Sequence, residues 1–461
     1  MKTLSILDII TNNNKILLKK CLLKINCWVR SRSSFKSGVS FIRIYDGSCS
    51  ENMQVVVFNK IKNYNKEILK ISTGCSISVI GNLRKSLNSN QKYEIYARSI
   101  KILGFVENPE SYPISLKKHS FKFLRKYPHL SVRTNIMSSI FRVRSFLIYS
   151  IHKFMNKNNF FCITMPIVTS VNSEGEGVGK MFKLSFSNGK TEDFMFFKKL
   201  AYLTVSNQLN LENYVCSLSK VYSFGPVFRA EKSHTKRHLA EFWMFELEYA
   251  FKNLDNIINF AELMIKNIIL DILKNCKEDI YFLCKKIDNG LVERLNYCLS
   301  NKFIILNYDE AIKILYKSKN LFSKEIEYGD DLSYEHEKFL LEKNKNIPLI
   351  IKNFPRNKKP FYMRVNNDGK TVSGMDFIFP KIGELIGGSQ REERLDKLKE
   401  NMKLMNINGS NYNLYLDLRK YGTIVHSGFG IGFERLLMFI TGINDIRDVT
   451  PFPNYLGNLK S

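Results

Sequence analysis

Apolar and polar residues alternate by twos along two neighbouring runs in residues 221–251, VYSFGPVFRAEKSHTKRHLAEFWMFELEYAF. Successive side chains of a strand point to opposite faces. Ser223, Gly225, Val227, Arg229 and Glu231 therefore share one face, and Tyr222, Phe224, Pro226, Phe228 and Ala230 the other. The second run repeats the division, with Phe242, Met244, Glu246 and Glu248 set against Trp243, Phe245, Leu247 and Tyr249. The pattern predicts two strands whose aromatic face turns to a core, joined by a basic loop carrying Lys232, His234, Lys236, Arg237 and His238. The polar face is either solvated or the lining of a site. Cations in the loop and a ring at Phe242 would suit a polyphosphate and a stacked base.

The same reading extends over the rest of the chain. Residues 19–105 hold five short alternating runs between turn residues, which predicts a small Greek-key barrel of the OB type. We set this domain at 1–105. Residues 106–133 contain Pro109, Pro113 and Pro128 and are expected to be a linker with little regular structure. A larger domain, 134–461, opens on an amphipathic helix with Ile136, Ile140, Val143, Leu147 and Ile151 on one side. Residues 255–350 are lysine-rich, helical and poor in motifs, and are expected to be an insertion or a cover on the core sheet. Asp376 and Glu384 fall on two neighbouring strands. Gly428, Gly430 and Gly432 are spaced G-x-G-x-G ahead of Arg435 at a helix start, where the helix dipole and a guanidinium together favour an anion.

Composition narrows the classes. The chain has 461 residues, 44% of them hydrophobic, enough for two domains with their own cores. Lys and Arg number 70 against 43 Asp and Glu, a net charge of +27 that suits a polyanion such as RNA. Lys, Asn, Ile and Phe are all abundant, as drift in an AT-rich genome would also make them. Basicity thus permits an RNA partner without identifying one. The nine cysteines include no CxxC pair, so no structural zinc is expected. With no signal peptide in view, reduced thiols in the cytoplasm are expected. No apolar run reaches about 18 residues, and no membrane span is expected. No G-x-S-x-G motif offers a covalent nucleophile.

FRAE, the basic loop and RHLAEFWM together resemble motif 2 of the class II aminoacyl-tRNA synthetases, in the asparaginyl form of the aspartyl, asparaginyl and lysyl subgroup. The helix from residue 135 with NNFFCITMPIVTS resembles motif 1, which builds the homodimer interface of that family, and GFGIGFER resembles motif 3. IGELIGGSQREER is similar to the asparaginyl enzymes almost letter for letter. WVRSR, SFIRIYDG and QVV resemble the anticodon-binding barrel of the aspartyl and asparaginyl enzymes. Some positions depart from the pattern: Asn207 stands at a usual glycine, and Asn454 at a usual arginine.

The resemblance runs from about residue 20 to 453. It implies an α+β protein, an OB-type barrel followed by a class II catalytic domain with an antiparallel sheet flanked by helices. It implies a ligase that activates L-asparagine with ATP and Mg²⁺, then transfers it to the 3′ end of tRNA(Asn). A compact or non-discriminating aspartyl enzyme is the nearest alternative, and an RNA-binding module without activity is another. Carried over residue by residue, Arg229 and Arg435 serve the chemistry, and Glu231, Phe242 and Glu384 complete the ATP site. Asp376 and Glu384 hold Mg²⁺. Glu174, Gln208 and Arg391 hold the amino acid; a pocket for asparagine also needs an acceptor for the side-chain NH₂, and Glu212, at the end of SNQLNLE, is the candidate. Arg30, Arg32, Phe41 and Gln54 meet the anticodon.

Overall fold

The computed structural model describes residues 3–12, 22–86, 91–171, 181–185, 196–323 and 325–459. It divides into two compact units, Met1–Arg142 with Glu278–Phe282, and Val143–Lys277 with Leu283–Ser461.

The first unit holds a closed barrel of β1 (Leu22–Phe35), β2 (Val39–Tyr45), β3 (Met53–Phe58), β4 (Ser76–Lys85) and β5 (Tyr93–Gly104), in the order β1-β2-β3-β5-β4. The period of two closes it. Leu23, Ile25, Cys27 and Val29 point inward from β1 to meet Ile42, Ile44, Val55, Val57, Ile77, Val79 and Ile95. A short helix, Ile6–Thr11, adds Ile6 and Ile9 to that core, started by a capping box between Ser5 and Asp8. A bulge between Val29 and Ser31 breaks the ladder of β1 with β2 and leaves Arg30 out of register. Beyond the barrel, the proline-rich stretch forms only single turns, Pro109–Ser111, Phe121–Leu124 and Pro128–Ser131.

The second unit is built on an eight-stranded sheet. In chain order its strands are β6 (Phe161–Cys162), β9 (Lys220–Phe228), β10 (Glu241–Ala250), β11 (Ile304–Asn307), β12 (Leu349–Pro355), β13 (Thr371–Phe379), β14 (Gly383–Gln390) and β15 (His426–Gly432). A separate ribbon pairs β7 (Val168–Thr169) with β8 (Tyr202–Leu203). The spatial order is β11-β12-β13-β14-β15-β10-β9-β6, antiparallel except at β11–β12 and β9–β6. The opening helix, Asn135–Lys157, buries Val143, Leu147, Ile151, Phe154 and Met155 at helical spacing.

The lysine-rich segment does more than cover the sheet. Its first helix, Leu254–Asn275, packs across β13 and β15 through Ile257, Ile258, Ala261, Met264, Ile265, Ile268, Ile269 and Ile272. Its next sheet residues, Ile304–Asn307, become the edge strand β11, parallel to β12. Four consecutive residues with two β-branched side chains carry no periodicity long enough to separate strand from helix.

Candidate functional site

The hairpin of β9 and β10 forms as the alternation predicts, with Val227 opposite Phe242 and Phe245 opposite Phe224. Its polar face is not solvated, since Glu246 and Glu248 are buried. The expected aromatic core face holds at Tyr222, Phe245 and Leu247 and fails at Trp243, which is 37% exposed. The three glycines of β15 explain the burial of the carboxylates. Gly432, Gly430 and Gly428 stand opposite Met244, Glu246 and Glu248. A Cβ on Gly428 would come within 2.3 Å of Glu248 Oε1. The floor therefore stays bare, and a cleft of about 330 Å³ opens over it.

One end of the cleft is cationic. Arg229 follows β9, with its guanidinium carbon 5.5 Å from the Phe242 ring centre and Nη2 donating to Val205 O at 3.4 Å. His238 Nε2 lies 3.6 Å from Glu231, and burial lowers the imidazole's affinity for a proton. Arg435, in the first turn of the helix Phe433–Thr441, donates Nη1 to the backbone oxygen of Glu384 at 2.9 Å. Glu434 braces this corner by accepting from Arg144 Nη2 at 2.8 Å and from the Trp243 amide at 3.0 Å.

Asp376 on β13 and Glu384 on β14 flank Gly387, where an added Cβ would lie 3.2 Å from Glu384 Oε1 and 3.7 Å from Asp376 Oδ1. Lys359 Nζ reaches Asp376 Oδ2 at 3.0 Å. Burial pushes Asp376 up to about 6, with Lys359 opposing the rise and Glu384 adding to it. Two hard oxygen donors in like-charge conflict are the donor set that suits Mg²⁺.

The other end is a buried ionic network. Gln208, the first residue of the helix Gln208–Leu218, donates Nε2 to Glu212 Oε1 at 3.1 Å. Glu212 Oε2 accepts from Tyr415 Oη at 2.8 Å, Arg419 Nη2 at 2.7 Å and His426 Nε2 at 2.9 Å. Burial alone would raise Glu212, but Arg419, His426 and Arg391 together hold it well below the carboxylate range. Arg391 pairs with Glu248, Nη2 to Oε1 at 2.5 Å, and donates Nη1 to Ser389 Oγ at 2.8 Å. Burial pushes Glu248 up, with Arg391 resisting. Glu246 takes the Ser206 hydroxyl and the Asn207 amide, the latter at 2.9 Å. Glu212, Glu248 and His426 bring ligand-type atoms within 4.8 Å of one another, but Arg391 and Arg419 already supply the counter-charge there.

Of the expected residues, Arg229, Glu231, Phe242, Gln208, Arg391, Asp376, Glu384 and Arg435 all line the cleft. Glu212 does not. It was expected to accept directly from a ligand amide, yet it sits fully buried behind Gln208 and Arg391 with Oε2 taken by three donors. Glu174 lies outside the described residues. Sequence reasoning missed Ser206, Lys359 and Tyr362, and put Glu246 and Glu248 on the polar face without assigning them to the site. Their alternation with apolar partners was the available signal. Asn207 has φ −96°, so the family's usual glycine is not required there. Asn454 uses its side chain to donate to Glu241 at 2.9 Å.

On the barrel, Phe41 packs edge-on to Phe35 with ring centres 5.7 Å apart. Gln54, opposite Arg43, donates to Glu94 at 3.3 Å. Phe58 and Tyr96 continue the same surface at 5.8 Å, with Arg84 4.5 Å over the Tyr96 ring. Arg30 and Arg32 do not join this surface as expected. Arg30, displaced by the bulge, lies 3.9 Å over Tyr45 and donates to Asn135 at 2.5 Å. Arg32 stands opposite Ile42, which points inward, and donates to Ile71 O at 2.9 Å and Ser34 Oγ at 2.7 Å.

Residues 120–455 match the family described as tRNA synthetases class II (D, K and N), and residues 23–103 match the OB-fold nucleic acid binding domain. The chain is 48% identical to the asparagine–tRNA ligase of Buchnera aphidicola from Acyrthosiphon pisum, covering 99% of each chain. It is 45% identical to that of Serratia proteamaculans, over 92% of this chain and 93% of the relative. Among solved structures it is similar to the asparaginyl-tRNA synthetase of Pyrococcus horikoshii complexed with asparaginyl-adenylate, at 29% identity and a TM-score of 0.86 over 100% of both chains. Among the described residues no helix is long and apolar enough to cross a membrane.

Proposed function

The chain belongs to the class II tRNA synthetases of the aspartyl, lysyl and asparaginyl group, and on that premise we infer that it joins L-asparagine to tRNA(Asn) with ATP. The observation that carries this is the 48% identity to an asparagine–tRNA ligase over 99% of both chains.

In the first step a carboxylate oxygen of asparagine attacks the α-phosphorus of ATP. The bond to pyrophosphate breaks, and asparaginyl-adenylate forms. Nucleophile and phosphate carry like charge, so the barrier is electrostatic and positional. Arg229, between Val205 and the Phe242 ring, is suited to meet the charge that builds at the α-phosphate. Phe242 offers adenine a stacking face, and Glu231 lies beside it. Arg435 and the loop cations face the leaving group. Asp376 and Glu384 would hold Mg²⁺, which would neutralise the phosphates. In the second step a hydroxyl of the terminal adenosine attacks the acyl carbon and AMP leaves.

Gln208 and Arg391 line the amino-acid end. Arg391 is the donor for the asparagine side-chain oxygen. Glu248, in the cleft wall and paired with Arg391, is the acceptor we assign to the NH₂. Glu212 acts from behind, fixing Gln208 and offsetting the charge of Arg391 and Arg419. An arginine alone would favour aspartate, and two buried carboxylates make a third costly. Phe41 and Gln54 are the anticodon contacts. We also propose a homodimer in the cytoplasm, assembled through the helix Asn135–Lys157 and edge strand β6. Exposed Tyr149 and Phe161 on those elements, 57% and 56% accessible, support it. Aminoacylation of a tRNA(Asn) transcript with labelled asparagine tests the reading. Charging with asparagine is expected, and charging with aspartate alone would refute it.

A further inference from the structure

The helix Tyr334–Lys343 belongs to the motif-poor segment and packs on β13 and β14. It starts with a capping box between Ser333 and His336, which fixes where its first turn lies. From that turn the Tyr334 ring lies 3.4 Å from the guanidinium carbon of Arg237, in the loop between β9 and β10. One residue of helix beyond His336, Glu337 is buried, and burial beside Glu384 pushes its carboxyl up to about 8, with Arg237 resisting. Gly383, at φ +79°, marks where they meet. A Cβ there would lie 2.3 Å from Glu337 Oε2, 3.0 Å from Arg237 Nη1 and 3.3 Å from Tyr334 Cδ2. The turn into β14 therefore needs glycine both for its backbone and for the space.

Arg237 lines the cleft and feels the charge of Arg435 on the same side. Two guanidiniums aimed at one anion repel each other until the anion arrives. An unsupported loop arginine would then swing to solvent, and ATP binding would bear the cost of bringing it back. We propose that Tyr334 is a positioning residue that holds Arg237 toward the phosphates of ATP by the face of its ring. This gives the helical segment a part in nucleotide binding. It rests on the reading that the cleft takes ATP.

The test is asparagine-dependent pyrophosphate exchange on the full chain, with a double-mutant cycle. Tyr334→Ala should raise KM for ATP by about tenfold while KM for asparagine stays within about twofold. Tyr334→Phe, which keeps the ring face, should stay within about threefold of wild type. In an Arg237→Ala background Tyr334→Ala should add no more than about twofold, because the residue it acts through is gone. An effect that persists undiminished in that background overturns the proposal. So does an unchanged KM for ATP, or a parallel rise of both KM values with a lowered melting temperature. Wild-type protein without asparagine-dependent exchange would refute the functional reading instead, before any variant is compared.

Discussion

The cleft and the outer face of the barrel both present polar and aromatic side chains, but they hold them in opposite ways. In and behind the cleft, buried charges are held in pairs. Arg391 has Glu248, Arg419 has Glu212, Lys359 has Asp376 and Arg144 has Glu434. On the barrel, Phe35 and Phe58 are 56% and 39% exposed, and Phe41 is half-buried with its ring against Phe35. Charge that develops for an instant in a transition state must meet dipoles that do not reorganise. A single-stranded base must instead find an open ring to stack on and must be able to leave. Rigidity in one place and exposure in the other suit the two roles proposed for them.

The contrast can be broken by substitution, starting with the largest effect. Arg229→Ala should lower exchange at least a hundredfold, about 3 kcal/mol or more of transition-state stabilisation, while tRNA binding stays nearly intact. Filter binding and exchange on one preparation check this, and near-normal exchange would remove Arg229 from the chemistry. Glu212→Gln leaves two buried guanidiniums short of a counter-charge. It should cost about 3 kcal/mol of stability and should narrow the preference for Asn over Asp in kcat/KM. The stability part depends on pH. Glu212 is held below its ordinary value of 4.5, so its contribution is full above that pH and fades as pH falls further. The melting-temperature gap between wild type and variant should therefore shrink in acid. An unchanged Asn-to-Asp ratio would show that Glu212 has no part in selection.

Smaller effects belong to the barrel. Phe41→Ala should weaken tRNA by roughly 1–3 kcal/mol without altering asparagine activation. It should leave the slope of affinity against salt unchanged, because a ring releases no counterions. Arg30→Ala should do less to tRNA, since its guanidinium is tied to Tyr45 and Asn135. Its loss should show chiefly as about 1 kcal/mol of barrel stability. If Arg30→Ala weakens tRNA as much as Phe41→Ala does, the open face extends further than the geometry allows.

What the sequence made legible was whatever a short period encodes. The alternation in residues 221–251 located the hairpin and its two faces, and the barrel strands followed from the same rule. The spacing of Gly428 and Gly430 matched the spacing of Glu248 and Glu246, which they face. What stayed hidden depends on contacts far apart in the chain. Nothing near Glu212 announces that Tyr415, Arg419 and His426 will surround it, more than 200 residues on. Without those donors a buried glutamate beside Gln208 looks like a ligand. The misplaced Arg30 has a local cause, a one-residue bulge that no alternation count detects. Arg32 misled because strand parity sends it inward, opposite Ile42, while its type suggested a surface cation.

On the proposed function, the cleft activates asparagine and rejects aspartate without help from the barrel. Pyrophosphate exchange on the wild-type chain, with asparagine and aspartate in parallel and no tRNA present, measures this directly. A site that hydrogen-bonds a specific polar group discriminates by about 10⁴ or more. Exchange driven by asparagine, with aspartate near background, is the predicted result. Comparable exchange with both amino acids, or exchange with aspartate alone, would contradict it.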